Sequence, residues 1–172
     1  MTVGVGLVGT GGHQLTTSDV TAAGGVVLGV VEADSPSILA EVEALAHTPG
    51  VHLVSVCLTP RSAQVDAAIV ALQAGRNVLI ERPAAASLHD LERLRLAALT
   101  GGGRLWERAT IPFEQPYRRA RELVDAGVIG RVVLVTAHKS YPWADWRDPT
   151  EAVQGGCAVQ QHRVLGDDLF ED

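Results

Sequence analysis

The sequence predicts an open, doubly wound α/β fold, with a parallel sheet in the first two thirds and a smaller region after it. Three observations predict it. Short continuous runs of Val, Leu and Ile recur along the chain, the pattern of strands buried on both faces. These runs alternate with helical segments, the order that builds a parallel sheet from strand–helix–strand units. The first run ends directly in Gly9-Thr10-Gly11-Gly12, and ligands on such sheets bind at the carboxyl ends of the strands.

The elements follow in order. Val3 to Val8 is the first strand. Thr16 to Ala23 carries capping residues but little helical periodicity. Val26 to Val31 is a second strand, ending in Glu32 and Asp34. Ser37 to Ala46 is a short amphipathic helix on Ile38, Leu39, Val42 and Leu45, stopped by Pro49-Gly50. His52 to Leu58 is a third strand, closed by Thr59-Pro60. The next helix is capped by Ser62, turns Val65, Ala68, Ile69 and Leu72 inward, and ends at Gly75. Asn77 to Ile80 is a fourth strand, terminated by Glu81-Arg82-Pro83. Ser87-Leu88-His89-Asp90 reads as a capping box with Leu88, Leu91 and Leu94 behind it. Arg104 to Ala109 offers a fifth strand. Phe113 to Ala126 is a helix with Phe113, Tyr117, Ala120 and Val124 inward, and Val132 to Ala137 is a separate last strand. The expected division is residues 1–112 as the parallel-sheet domain and 113–172 as a separate, smaller region.

Composition removes whole classes of function. A chain of 172 residues with 47% hydrophobic and 20% charged residues can bury a core and is no disordered segment. The net charge of −6 argues against nucleic acid and anionic membrane as partners. No apolar run reaches the roughly 18–20 residues of a membrane span. The amino-terminal stretch lacks the basic start of a signal peptide. Two cysteines, Cys57 and Cys157, make neither a disulfide framework nor a four-ligand zinc site. The expectation is a cytoplasmic protein with no metal. Thirteen arginines accompany one lysine, Lys139, so lysine chemistry has one candidate.

The glycine turn is the first chemical signal. Glycines at 9, 11 and 12, with Thr10 between, permit a tight turn and let backbone amides approach a pyrophosphate. The third glycine of G-x-G-x-x-G would stand at position 14, which is Gln14. Glu32 follows Gly11 at about the 20 residues expected of a ribose-binding acid, and a carboxylate there favours NAD over NADP. The competing reading leaves Glu32 solvating a strand end and the loop without nucleotide.

Thr59-Pro60, followed by a helix running into Ala71-Leu72-Gln73-Ala74-Gly75-Arg76-Asn77-Val78-Leu79-Ile80-Glu81-Arg82-Pro83, resembles the Gfo/Idh/MocA family, the relatives of glucose–fructose oxidoreductase and inositol dehydrogenase. That family reads T-P…A-L-x-A-G-K-x-V-x-x-E-K-P here. The likeness continues through Tyr117 to Gly130, Trp146-Arg147-Asp148-Pro149 and Gly155-Gly156. The resemblance implies a Rossmann domain, a nicotinamide cofactor, and hydride transfer at a carbinol or hemiacetal carbon of a sugar, cyclitol or similar compound. It places Thr59, Pro60 and Glu81 at the cofactor. It also implies a lysine beside nicotinamide and substrate, and a D-x-x-x-H pair for acid–base work.

The chain departs from the family at those catalytic points. The lysine position is Arg82, which keeps the charge but is no practical proton shuttle. The Asp and His positions hold Gln161 and Leu165, and the histidine common after T-P is Gln64. Lys139, His138 and His162 are the substitutes available for proton transfer, with Arg82 orienting substrate. Tyr141, Trp143 and Trp146, with Arg147 beside them, form an aromatic cluster that either floors a substrate pocket or plugs core. His13 reads as a surface residue or a phosphate contact, and Cys57 as a buried, inert thiol.

The chain is also short. Only sixteen residues separate Asp34 from Val51, where the family places a further helix–strand unit, and one strand stands for the second-domain sheet. A naturally reduced protein and a truncated one both fit. A lone strand at 132–137 needs a ladder partner, and a second copy of the chain supplies one, so a homodimer is expected. Three functions fit: a divergent NAD(P)-dependent oxidoreductase, a non-redox enzyme such as a dehydratase, cyclase or isomerase, and a non-catalytic partner protein.

Overall fold

The computed structural model describes residues 2–9 and 13–136, and contacts divide the chain into two units, Met1–Arg108 and Ala109–Asp172. Unit 1 runs β1 (Val3–Val8), α1 (Thr17–Ala22), β2 (Gly25–Val31), α2 (Ile38–His47), β3 (Val51–Val56), α3 (Arg61–Gln73), β4 (Asn77–Ile80), α4 (Leu88–Gly101) and β5 (Leu105–Glu107). Every strand pair is parallel, in the order β2-β1-β3-β4-β5. The chain leaves β1 toward β2 and returns past it to β3. The sheet's switch point therefore lies between the ends of β1 and β3.

Helices α2, α3 and α4 cover one face. Val42 and Leu45, Val65, Ala68, Ala71 and Leu72, then Leu94 and Ala97 bury against Val8, Val54, Val56, Val78 and Ile80. The last residue of α4 packs directly on the backbone of α3: a Cβ at Gly101 would stand 1.9 Å from the Leu72 carbonyl oxygen. The opposite face has a smaller cluster of Val5, Leu7 and Val20, with Leu15, Val27 and Leu53 against it. Its only helix among the described residues of unit 1 is α1. That six-residue helix forms because Thr16 and Asp19 make a full capping box, a local signal that outweighs poor periodicity.

The strands and the helical alternation agree with the sequence reading. Several details do not. Ser62 lies inside α3, whose N-cap is Pro60 without a side-chain bond. Ser87 caps α4 as expected, by accepting from the Asp90 amide, but Leu88 and Leu91 are exposed and only Leu94 of that trio is buried. Leucines stand on two sides of α4, and only one side meets α3.

Unit 2 holds a 3-10 turn (Ile111–Phe113) and α5 (Gln115–Asp125). Phe113 belongs to the turn and is 77% exposed, Tyr117 is exposed, and α5 buries no residue. The amphipathic pattern is present, but no second apolar layer covers it among the described residues. Residues 132–136 form no strand; Ala137 lies outside the described residues. Val133 and Leu134 are each 80% exposed. A strand needs a neighbour for its ladder, and no described strand of this chain pairs with residues 132–136. No helix among the described residues is long and apolar enough to cross a membrane.

Candidate functional site

The carboxyl ends of β1 to β5 bring together the residues singled out in the sequence. Gly9 follows β1, Glu32 follows β2, Thr59-Pro60 lies just past β3, and Glu81-Arg82-Pro83 follows β4. Gly9 must be glycine on two counts. Its φ is +81°, and a Cβ there would stand 2.1 Å from the Cys57 carbonyl oxygen. Its amide donates to the Val31 carbonyl at 2.8 Å, which sets Gly9 beside the end of β2. Thr10, Gly11, Gly12, His138, Lys139, Tyr141, Trp143, Trp146, Arg147 and His162 lie outside the described residues.

Gln14 fills the place of the missing third glycine and closes the switch point. Its amide nitrogen donates to the Val8 carbonyl at 2.8 Å and the Ser55 carbonyl at 3.0 Å. Its oxygen accepts from the Ser55 hydroxyl at 2.6 Å and the Leu15 amide at 2.8 Å. The side chain thus bridges β1 and β3, where a glycine would have let a helix pack close. Gln64 acts similarly between β3 and β4. Fully buried, it accepts from the Leu58 amide at 3.2 Å and from Arg61 at 2.9 Å, and donates to the carbonyls of Glu81 at 2.8 Å and Pro83 at 3.2 Å. Arg61 also donates to the Arg82 carbonyl at 3.0 Å. Both flanking prolines follow cis bonds, Thr59-Pro60 and Arg82-Pro83.

Glu81 is the buried carboxylate of the site, 7% exposed. One oxygen lies 3.2 Å from Nδ1 of His13, whose ring is otherwise in solvent. The other, Oε2, has no hydrogen-bond partner among the described residues, and neither has the buried Nη1 of Arg108. Both residues line one shallow, tightly closed crevice with His13, Gln14, Ser55 and Cys57. Cys57 lies just past β3 and is half-buried. Burial pushes its thiol pKa up and the Glu81 charge adds to that, against the pull of the His13 backbone amide, Arg61 and Arg108. His13 meets the sulfur through its backbone, so no thiolate–imidazole pair forms, and an inert thiol fits. At the end of β5 the Glu107 carboxyl is raised chiefly by crowding against protein, opposed by Arg82, reinforced by Glu81 and opposed again by Arg61. Among the described residues no group of three or more His, Cys, Asp or Glu could hold a metal ion.

His13, Arg61, Glu107 and Arg108 were not part of the site expected from sequence, apart from the phosphate reading of His13. Arg108 had a signal. The β4–β5 register pairs Ile80 with Glu107, so the next residues, Glu81 and Arg108, fall side by side.

A parallel sheet with a glycine turn and acidic strand ends defines a dinucleotide-binding type of α/β protein, and comparison with known proteins agrees. The model of the oxidoreductase family with an NAD-binding Rossmann fold, Gfo/Idh/MocA, matches residues 3–108. The chain belongs to that family. It is 36% identical over 106 residues to 1-carboxy-3-chloro-3,4-dihydroxycyclohexa-1,5-diene dehydrogenase of Comamonas testosteroni, covering 60% of this chain and 26% of that one. It is 33% identical to inositol 2-dehydrogenase 3 of Saccharopolyspora erythraea, covering 95% of this chain and 51% of that protein. Among solved structures, WlbA dehydrogenase of Bordetella pertussis, in complex with NADH and UDP-GlcNAcA, superposes with a TM-score of 0.56 at 20% identity over 76% of this chain and 45% of its own. The chain thus spans about half the length of the relatives it matches, or less.

The group this family implies is a nicotinamide dinucleotide, and the described residues fit it in part. The Gly9 turn leaves no room for a side chain, and Glu81 holds an unsatisfied oxygen toward that crevice. Helix α1 contributes less than usual: it is short, and its first turn is taken by the Thr16–Asp19 box. The Thr16 hydroxyl and amide hold the Asp19 carboxyl below its ordinary range, so a negative charge already sits where a phosphate would otherwise profit from the helix end.

Proposed function

We propose that the chain binds NAD, with NADP the weaker ligand, and serves hydride transfer at a hydroxyl-bearing carbon of a small polyol, sugar or related metabolite. The observation that supports this reading most is the bond from Gly9 to Val31. It sets Gly9, where the glycine turn begins, against the strand that runs into Glu32, which supports a diphosphate site beside a ribose-binding acid. A carboxylate there accepts from a ribose 2′-hydroxyl and repels a 2′-phosphate. The diphosphate would be held by amides of the glycine turn, with little help from α1. When bound, the nicotinamide supplies the hydride acceptor or donor. Arg82 would orient the substrate through its fixed charge, and the proton would pass to Lys139, His138 or His162.

A second reading is favoured by Arg82 itself. It stands where the family keeps a proton-carrying lysine, which suits non-redox chemistry such as dehydration, cyclisation or isomerisation. The test is absorbance at 340 nm after mixing the protein and NAD with a panel of cyclitols and sugars. Growth of the reduced-nicotinamide band supports the first reading. Substrate consumption without that band rejects it for the second.

A further inference from the structure

Helix α4 has two apolar sides, and α3 and the sheet use only one. Leu94 and Ala97 are buried on that side. Leu88, Leu91, Leu96 and Leu99 stand on the other, each between 46% and 80% exposed. With Glu92 and Arg95 they occupy positions i, i+3, i+4, i+7, i+8 and i+11 of the helix, the spacing of one continuous face. Scattered exposed leucines need no explanation, but four aligned on one face mark an association surface.

The order of residues along the stripe says what covers it. Reversed end to end about the midpoint between Arg93 and Leu94, the stripe reproduces itself. Leu88 falls on Leu99, Leu91 on Leu96, and Glu92 on Arg95. A two-fold contact has this form, because residue i of one copy meets residue j of the other and j meets i. A second copy laid antiparallel on the stripe therefore sets leucine on leucine in four places. At the centre each Glu92 faces the partner's Arg95, so the two charge pairs are complementary. A parallel pairing would set Glu92 on Glu92 and Arg95 on Arg95, and like charges reject it. The antiparallel arrangement also sets each helix N-terminus beside the partner's C-terminus, where the end charges attract. In the single chain Glu92 and Arg95 bond to each other at 2.8 Å, and both are about two-thirds exposed. An exposed pair of that kind contributes little to stability, so re-pairing across the axis forfeits little.

We propose that α4 joins two copies of this chain, antiparallel, through Leu88, Leu91, Glu92, Arg95, Leu96 and Leu99. The contact stands whether or not a nucleotide binds at the strand ends. One helix on another is at the small end of specific interfaces, so the association is reversible, with a dissociation constant in the micromolar range.

The test is sedimentation velocity on the full chain, diluted through the micromolar range, for wild type, Glu92→Arg and Arg95→Glu. Both substitutions are on exposed side chains, and far-ultraviolet circular dichroism checks that the fold is kept. The wild type is expected to self-associate reversibly. Each variant has like charges at the centre of its stripe, and its self-association should weaken by about tenfold or more. An equimolar mixture of the two variants should recover the wild-type association, since one stripe is then wholly basic at its centre and the other wholly acidic. A wild type that stays monomeric throughout overturns the proposal and leaves the stripe to another partner. Self-association that neither variant weakens overturns it in favour of a different surface. Weakening in both variants without recovery in the mixture overturns the antiparallel pairing.

Discussion

Replacing Gln64 by leucine tests how the site is held together. The two side chains are close in volume, so little cavity opens, and the loss is one of hydrogen bonds. Gln64 is fully buried and makes four. Two of them, from the Leu58 amide and to the Glu81 carbonyl, are buried throughout, while those with Arg61 and Pro83 are partly buried. Each buried main-chain group left without a partner costs about 1–3 kcal/mol. The two fully buried groups then give about 3 kcal/mol, with the other two regaining some solvent. At a urea dependence of about 1.5 kcal/mol per molar, the midpoint falls by about 2 M. The assay is urea unfolding followed by far-ultraviolet circular dichroism. A second readout follows from position. Gln64 ties the end of β3 to that of β4, so NADH binding at the remaining fold should weaken as well. A midpoint lowered by less than about 0.3 M would refute the reasoning, because a surface substitution does as much.

Two further predictions concern titration, and one concerns the glycine turn. With Cys157 changed to serine, Cys57 should react with iodoacetamide more slowly than a free thiol, and the rate should rise only at more alkaline pH. Burial and Glu81 raise the thiol pKa, so less thiolate exists at a given pH; a rate matching free cysteine contradicts this. Glu107→Gln should raise the urea midpoint above wild type at about pH 7.5 and do so much less at about pH 4. The folded-state pKa of Glu107 lies above the unfolded one. Its favourable contribution is therefore complete in the protonated form at low pH and is lost as pH rises through the raised value. An equal effect at both pH values contradicts the assignment. Gly9→Ala should abolish nucleotide binding and destabilise by about 2 kcal/mol or more, since the new Cβ meets a carbonyl oxygen at 2.1 Å in a left-handed backbone. Unchanged binding contradicts the turn.

The sheet was readable because its signals are local and repeated. Val51–Val56 and Asn77–Ile80 are short, mostly apolar runs bounded by Pro and Gly, and the chain between them is a helix with alanines facing the core. The positions of Gly9, Glu32 and Glu81 at strand ends were readable for the same reason, because strand ends follow once strands are placed. The rest of the site depends on what lies across the sheet. His13 meets Glu81 across 68 residues of chain, and Arg108 enters only through the β4–β5 register. Gln14 looked like a loss, since a pattern of glycines says nothing about a side chain that bridges two strands instead. Unit 2 failed for the opposite reason. The apolar spacing of Phe113, Tyr117 and Val124 states what a helix could bury, and burial needs a second surface.

The central claim is that a dinucleotide sits at the carboxyl ends of these strands with Glu32 at its ribose. Titration of the protein with NADH and with NADPH, for wild type and Glu32→Ala, tests it most directly. The account predicts NADH binding in the micromolar range, NADPH about tenfold weaker, and a gap that closes in the variant as the carboxylate is removed. Binding of neither nucleotide would contradict it and leave a Rossmann fold without its cofactor.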